Sequence, residues 1–238
     1  DAGCAIGAAY YCYIKSIPQS NLNISKPSLF PSIKETKNYE FILEKIISNQ
    51  FIILESNEEE AFLKAAELIS SGEIIGTVLS RSETGPRALG NRSLLCDGKN
   101  KDAVKKLNTV IKNRSSFRPT APAMRYEIAE KYYKLRPEII NCYKSMSATC
   151  KCLKDNVSLK FPTTHVDGTA RIQIVESNSY LDKLFSMLEP LGIDILANSS
   201  LNVSGDPTCF DLVDGLMVCS RTKLRYLLTD LGLLKRKT

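Results

Sequence analysis

One histidine serves the whole chain of 238 residues, and its eight cysteines include no Cys-x-x-Cys pair. A zinc cage draws its ligands from closely spaced cysteines and histidines, so these two shortages argue against one. No apolar run approaches the ~20 residues that cross a bilayer, and no stretch shows the pattern of a secretory leader. Neither the phosphate-loop consensus nor the dinucleotide fingerprint occurs, and no repeat of solenoid or propeller period is present. These absences set aside the commonest nucleotide folds while leaving nucleotide binding open.

What is present describes an ordinary globular protein: 43% hydrophobic and 24% charged residues. The net charge of +6 suits an anionic substrate such as a nucleotide. It is too weak by itself to argue for DNA or RNA. Cys150 and Cys152 could bind metal or form a strained disulfide, but the expectation is free thiols in a reducing cytoplasm, which is therefore the expected location. The chain opens "DAGCAIGAAYYCYI", without Met, and reads as the end of a longer element: a tightly packed small-residue helix with Ala5, Ile6, Ala9 and Tyr10 as core. Residues 16–38 mix Ser, Asn, Pro and Lys without periodicity, as a linker does, and the domain proper is expected from Tyr39.

"SNEEEAFLKAAELISSG" is a helix by pattern, with Ser56 as cap, Glu59 as its capping-box partner and Gly72 as the stop. Phe62, Ala65, Ala66, Leu68 and Ile69 form its apolar stripe. "EIIGTVLS" reads as a buried strand. "NKDAVKKLNTVIKN" is an amphipathic helix with Val104, Leu107 and Ile111 inward; "AMRYEIAEKYY" and "SYLDKLFSMLEPLG" are further helices. "YKSMSAT", "ARIQIV" and "IDILAN" read as strands, and a last helix and strand fall in "DLVDGLMVCS" and "RYLLTDLGLL". Alternation of this kind makes an α/β sheet.

Four segments are left over: "SETGPRALGNRS" with Arg87 and Arg92, "IKNRSSFRPTAP" with Lys112, Arg114 and Arg118, "THVDGTARIQ" with His165, Asp167 and Arg171, and "NSSLNVSGDP" with Ser200 and Asn202. Each has an ordinary explanation as a turn or a cationic helix end. Together they lie near strand or helix ends, where open α/β sheets bind ligands. Guanidinium forks grip phosphate in pairs of bonds, a lysine acts as a point charge, and Ser and Asn oxygens suit magnesium or a nucleotide. From the residues alone, this is an α/β domain with a polyanion site.

The four segments, in this order, resemble the C-terminal domain of the O-carbamoyltransferases, the nodulation-factor and antibiotic-tailoring enzymes, over about residues 39–238. The resemblance implies a YrdC-like twisted open sheet flanked by helices. It also implies that residues 1–15 are the tail of an actin-like N-terminal domain, with 16–38 as linker. In that domain the Asp of Asp-Ala-Gly is an iron ligand, which would be Asp1. Its histidine partners would lie upstream, so no iron is expected at Asp1 in this chain. The implied chemistry starts from carbamoyl phosphate, whose carbamate attacks ATP to form carbamoyl-adenylate and pyrophosphate; the actin-like domain then passes the group to an unidentified alcohol. This chain would carry only the activation half-reaction. By resemblance Arg87, Lys112, Arg118 and Arg171 are catalytic, and Arg114, His165, Asp167, Ser200 and Asn202 bind substrate or nucleotide with Mg. Ser82, Thr84, Thr120 and Leu201 depart from the family's usual residues. Two alternatives remain: a free-standing threonylcarbamoyl-adenylate synthase, suggested by Ser200-Leu201-Asn202, and a non-catalytic RNA-binding module using the basic helix at Lys101–Lys112. That helix has few aromatics on which bases could stack.

Overall fold

The computed structural model describes residues 4–17, 41, 47–153 and 161–237. Asp1 and nearly all of the predicted linker lie outside the described residues, and so do the side chains of Ala5 and Ile6. The opening helix, α1 (Cys4–Ser16), forms as expected. Its described side chains do not pack as a core: Ala9 is exposed, Tyr10 half-buried, and Tyr11 and Ile14 stand in solvent.

The strands are β1 (Phe51–Glu55), β2 (Ile75–Val78), β3 (Ser93–Asp97), β4 (Ala121–Met124), β5 (Tyr133–Lys134), β6 (Cys150–Cys152), β7 (Thr169–Ala170), β8 (Gln173–Ile174), β9 (Leu196–Ser200), β10 (Tyr226–Thr229) and β11 (Gly232–Arg236). Eight of them build one mixed sheet in the order β1-β11-β10-β2-β3-β9-β4-β8, and β5-β6-β7 form a small second sheet. Within the large sheet β10–β2 and β4–β8 run parallel, while the other neighbours are antiparallel.

Side chains alternate across a strand, and here they alternate between two cores. Leu94 and Cys96 of β3, Ala197 of β9 and Leu227 of β10 enter one cluster; Leu95, Leu196 and Leu228 enter the other. Helix α3 (Lys101–Lys106), which continues as a π-helical turn over Leu107–Ile111, and α7 (Leu212–Arg221) cover the first face. Helices α2 (Glu58–Ser70) and α6 (Tyr180–Leu188) cover the second. Helix α7 lies close on β2: a Cβ at Gly215 would stand 2.6 Å from Val78 Cγ2. Only glycine permits that approach.

Helix α2 starts one residue later than predicted. Asn57, not Ser56, is the cap, its side chain accepting from the Glu59 and Glu60 amides at 2.9 and 3.2 Å. The predicted stripe is buried except for Leu68, which is half-buried, and Ala61 joins it. Gly72 ends the helix at φ +86°. "YKSMSAT" is not a strand: helix α5 (Ile140–Lys144) runs into a turn at Met146, with φ +54°. The strand in this region is β6, paired with β5 and β7. "ARIQIV" is split at Arg171, with β7 in the small sheet and β8 in the large one. The last "strand" is a β10–β11 hairpin. Cys150 and Cys152 are free thiols, as expected. Among the described residues, no helix is long and apolar enough to cross a membrane.

Candidate functional site

The segment between β2 and β3 answers why two arginines share one turn-rich stretch. Arg92 is fully buried and belongs to the frame. Its guanidinium donates to four backbone carbonyls: Leu79 (2.8 Å), Phe210 (3.0 Å), Asn91 (3.0 Å) and Ser80 (3.2 Å). Burial lowers its pKa and the nearby Glu83 carboxylate opposes that shift. Glu83, also buried, accepts the amides of Leu89 (2.7 Å) and Asn91 (2.8 Å) through Oε1. Thus one carboxylate and one guanidinium hold the loop from inside. Gly90, at φ +124°, makes the turn that a side chain would strain.

Arg87, on the outer part of that loop, faces a cavity of about 240 Å³. The same wall holds Arg114 and Arg118 from the segment after the π turn, Arg171 from the β7–β8 changeover, and Ser200 from the end of β9. Asn108 sets the Arg114–Arg118 segment: its amide donates to the Arg118 carbonyl at 2.8 Å and its oxygen accepts Arg114 Nε at 2.9 Å. Asn113, with φ +47°, turns the backbone between Lys112 and Arg114.

Among the described residues none of these four arginines makes a salt bridge, whereas Arg125 elsewhere pairs with Asp182 and Glu189 at 2.7 Å each. Burial, and then the neighbouring Arg118, lowers the Arg114 pKa to about 10. Burial, followed by repulsion from Arg87 and Arg118, lowers that of Arg171. Four cations around a small volume, with no salt bridge among the described residues, suit an anion.

Lys112 sits under this wall, 3% exposed. Its ammonium donates to the Ser200 carbonyl (2.8 Å), to Ser200 Oγ (3.2 Å) and to Asn202 Oδ1. Ser200 Oγ also donates to Asn202 Oδ1 at 2.7 Å. Among the described residues no carboxylate joins the cluster, and burial, with Arg114 and Arg118 nearby, lowers the Lys112 pKa to about 7. A second cavity of about 490 Å³ shares Pro86 and Ser200 with the first and adds Glu83, Asn202, Asp206 and Phe210. The first volume lies below the roughly 300–1,000 Å³ of drug-sized ligands, and the second within it.

Of the residues singled out in the sequence, Arg87, Arg114, Arg118, Arg171, Ser200 and Asn202 line one or both cavities. Lys112 holds two of them from beneath. His165 and Asp167 do not line either cavity. They close a turn on Thr169, whose hydroxyl donates to Asp167 at 2.7 Å and meets His165 Nδ1 at 3.0 Å; these Thr169 bonds lower the Asp167 pKa. That turn leads into Arg171. The magnesium expected at Ser200 and Asn202 does not fit the donor set, because Lys112 already presents its ammonium to both oxygens. Among the described residues no group of three or more His, Cys, Asp or Glu is placed to hold a metal ion. Sequence reasoning passed over Glu83, Asn108 and Gln173, whose polar types beside glycine turns and arginines were the available signal.

A family model described as carbamoyltransferase C-terminus matches residues 66–236. Nodulation protein NolNO of Sinorhizobium fredii is 32% identical over 244 residues, covering 100% of this chain and 35% of that protein. The 3'-hydroxymethylcephem-O-carbamoyltransferase of Streptomyces clavuligerus is 36% identical over 141 residues, 58% of this chain and 26% of that one. The chain thus spans well under half the length of these curated relatives. Among solved structures, full-length HypF in its phosphate- and nucleotide-bound form has a TM-score of 0.52 at 18% identity, covering 79% of this chain and 22% of HypF. P. abyssi Sua5 has a TM-score of 0.52 at 17% identity, covering 74% of this chain and 50% of that one. The fold is YrdC-like.

Proposed function

The chain belongs to the carbamoyltransferase C-terminal family, and from that premise we propose that it activates a carbamoyl group by adenylation. The observation that carries this reading is the cluster of four arginines, none in a salt bridge among the described residues, around one small cavity that shares Pro86 and Ser200 with a larger one. Carbamoyl phosphate occupies the small cavity, and the nucleoside of ATP extends into the larger, beside Phe210. Water attacks the phosphorus of carbamoyl phosphate and the bond to the carbamoyl oxygen breaks, leaving carbamate and phosphate. A carbamate oxygen then attacks the α-phosphorus of ATP, the bond to the bridging oxygen breaks, and carbamoyl-adenylate and pyrophosphate form.

Such chemistry depends mainly on charge stabilisation and positioning. Arg87, Arg118 and Arg171 balance the phosphate charge, and Arg114, fixed by Asn108, completes the ring. Lys112 keeps Ser200 and Asn202 in place where the two cavities meet. Transfer onward to an alcohol is the work of the rest of the protein.

The test is carbamoyl phosphate-dependent pyrophosphate release from ATP by the full-length protein. Release that instead requires threonine and bicarbonate would replace this reading with a threonylcarbamoyl-adenylate synthase, and release with neither donor would overturn both.

A further inference from the structure

Three polar atoms of the small cavity's lining residues have no hydrogen-bond partner among the described residues although they are buried: Arg171 Nε, Thr120 Oγ1 and Asn198 Oδ1. An arginine nitrogen fits an anionic oxygen. Asn198 Oδ1 differs, because an amide oxygen can only accept. Its orientation is fixed by its surroundings. Asn198 Nδ2 donates to the Ala88 carbonyl at 3.1 Å and to Gln173 Oε1 at 2.7 Å, and Gln173 Nε2 donates to the Leu89 carbonyl at 2.7 Å. Both carbonyls can only accept, so each must face an NH₂ end, and neither amide can be turned over without opposing oxygen to oxygen. The oxygen of a side chain only 2% exposed is thereby left without a donor, in a wall otherwise crowded with cations.

Sulfate, which carries no proton near neutral pH, satisfies the arginines but offers nothing to this acceptor. We propose that Asn198 recognises an N–H of the ligand, and so selects a carbamoyl phosphate over acyl phosphates of the same shape that lack the amino group. This rests on the carbamoyl phosphate reading of the small cavity. Asn198 is a specificity-determining residue, and Gln173 positions it. An isosteric ligand carrying methyl in place of NH₂ would leave a buried acceptor unpaired, which lowers affinity by about tenfold or more.

The experiment measures binding of carbamoylphosphonate, acetylphosphonate and inorganic phosphate to the full-length protein by calorimetry. The wild type is expected to prefer carbamoylphosphonate to acetylphosphonate by at least about tenfold. Asn198→Leu is expected to bring that ratio near one while phosphate still binds. A ratio within one variant does not respond to a general loss of stability. If Asn198→Leu does not fold, Gln173→Met, which releases the Asn198 amide, is expected to lower the same ratio. If neither folds, a wild-type crystal structure with carbamoylphosphonate decides by whether the ligand nitrogen lies within hydrogen-bonding distance of Asn198 Oδ1. Equal binding of the two phosphonates by the wild type, or an unchanged ratio in a folded variant, overturns the proposal but leaves the anion site standing. Failure of all three probes to bind would instead remove the cavity assignment itself.

Discussion

Arg87 and Arg92 lie on one loop, and replacing each by lysine is expected to give opposite results. Arg92 donates to four buried carbonyls. Lysine has three donors on a single nitrogen and cannot span that set, so at least one carbonyl loses its partner at about 1–3 kcal/mol and the others lose alignment. A loss of roughly 3–4 kcal/mol follows for Arg92→Lys, which for a chain of this size lowers the Tm by roughly 6–16 °C. Arg87, by contrast, is exposed and lines the cavity without a salt bridge among the described residues. Arg87→Lys should leave the Tm nearly unchanged while removing the two-pronged grip proposed for phosphate, at roughly 2–4 kcal/mol in the transition state, or about two to three decades in rate. Thermal melts and pyrophosphate release per folded molecule, both on the full-length protein, separate the two. An unchanged melt in Arg92→Lys would refute its structural role, and normal turnover in Arg87→Lys would refute the anion-site role.

Two further outcomes follow from the same geometry. The Lys112 pKa of about 7 lies below its unfolded value, so the unfolded chain holds the extra proton between the two and this group's contribution to stability rises with pH through that window. A bound oxyanion favours the ammonium instead. Sulfate affinity, measured by calorimetry, should therefore fall as pH rises above about 7, by at most tenfold per unit, and Lys112→Met should flatten the profile; a flat wild-type profile would refute the assignment. At the start of α2, Asn57→Ala should cost about 1 kcal/mol in denaturant unfolding, whereas Ser56→Ala should stay within about 0.5 kcal/mol.

The periodic elements were legible because their burial is one-sided: α2 and α6 each carry a stripe toward the sheet. Strand β3 escaped notice because Leu94, Leu95 and Cys96 are buried on both faces, which erases the alternation that marks a strand. Pro122 concealed β4, since proline argues against an interior strand, yet β4 stands between β9 and β8. The cap was misplaced by one residue because Ser56 and Asn57 are both suitable, and backbone geometry alone chooses between them. At the site, the cationic residues stood out by charge and setting. Sequence does not disclose which charge is buried, so nothing distinguished Lys112, held in the interior, from Arg118 at the cavity, or tied His165 and Asp167 to a turn.

The strand order also dictates when the site can exist. Strands β2 and β3 are consecutive in the chain, but their outer neighbours in the sheet are β10 and β9, from its last third. Ser200 reaches Arg87 and Lys112 only because β9 pairs with β3, placing Ser93 opposite Ser200. Until that long-range pairing closes, nothing gathers the arginines around one volume and the two apolar faces of β3 are uncovered. Folding is therefore expected to be slow, with its barrier at this pairing, and the nascent chain to be aggregation-prone until its final segments emerge. An anion that binds only the closed sheet would pull this equilibrium toward the native state by mass action, so the same site would also serve as a brace for the fold.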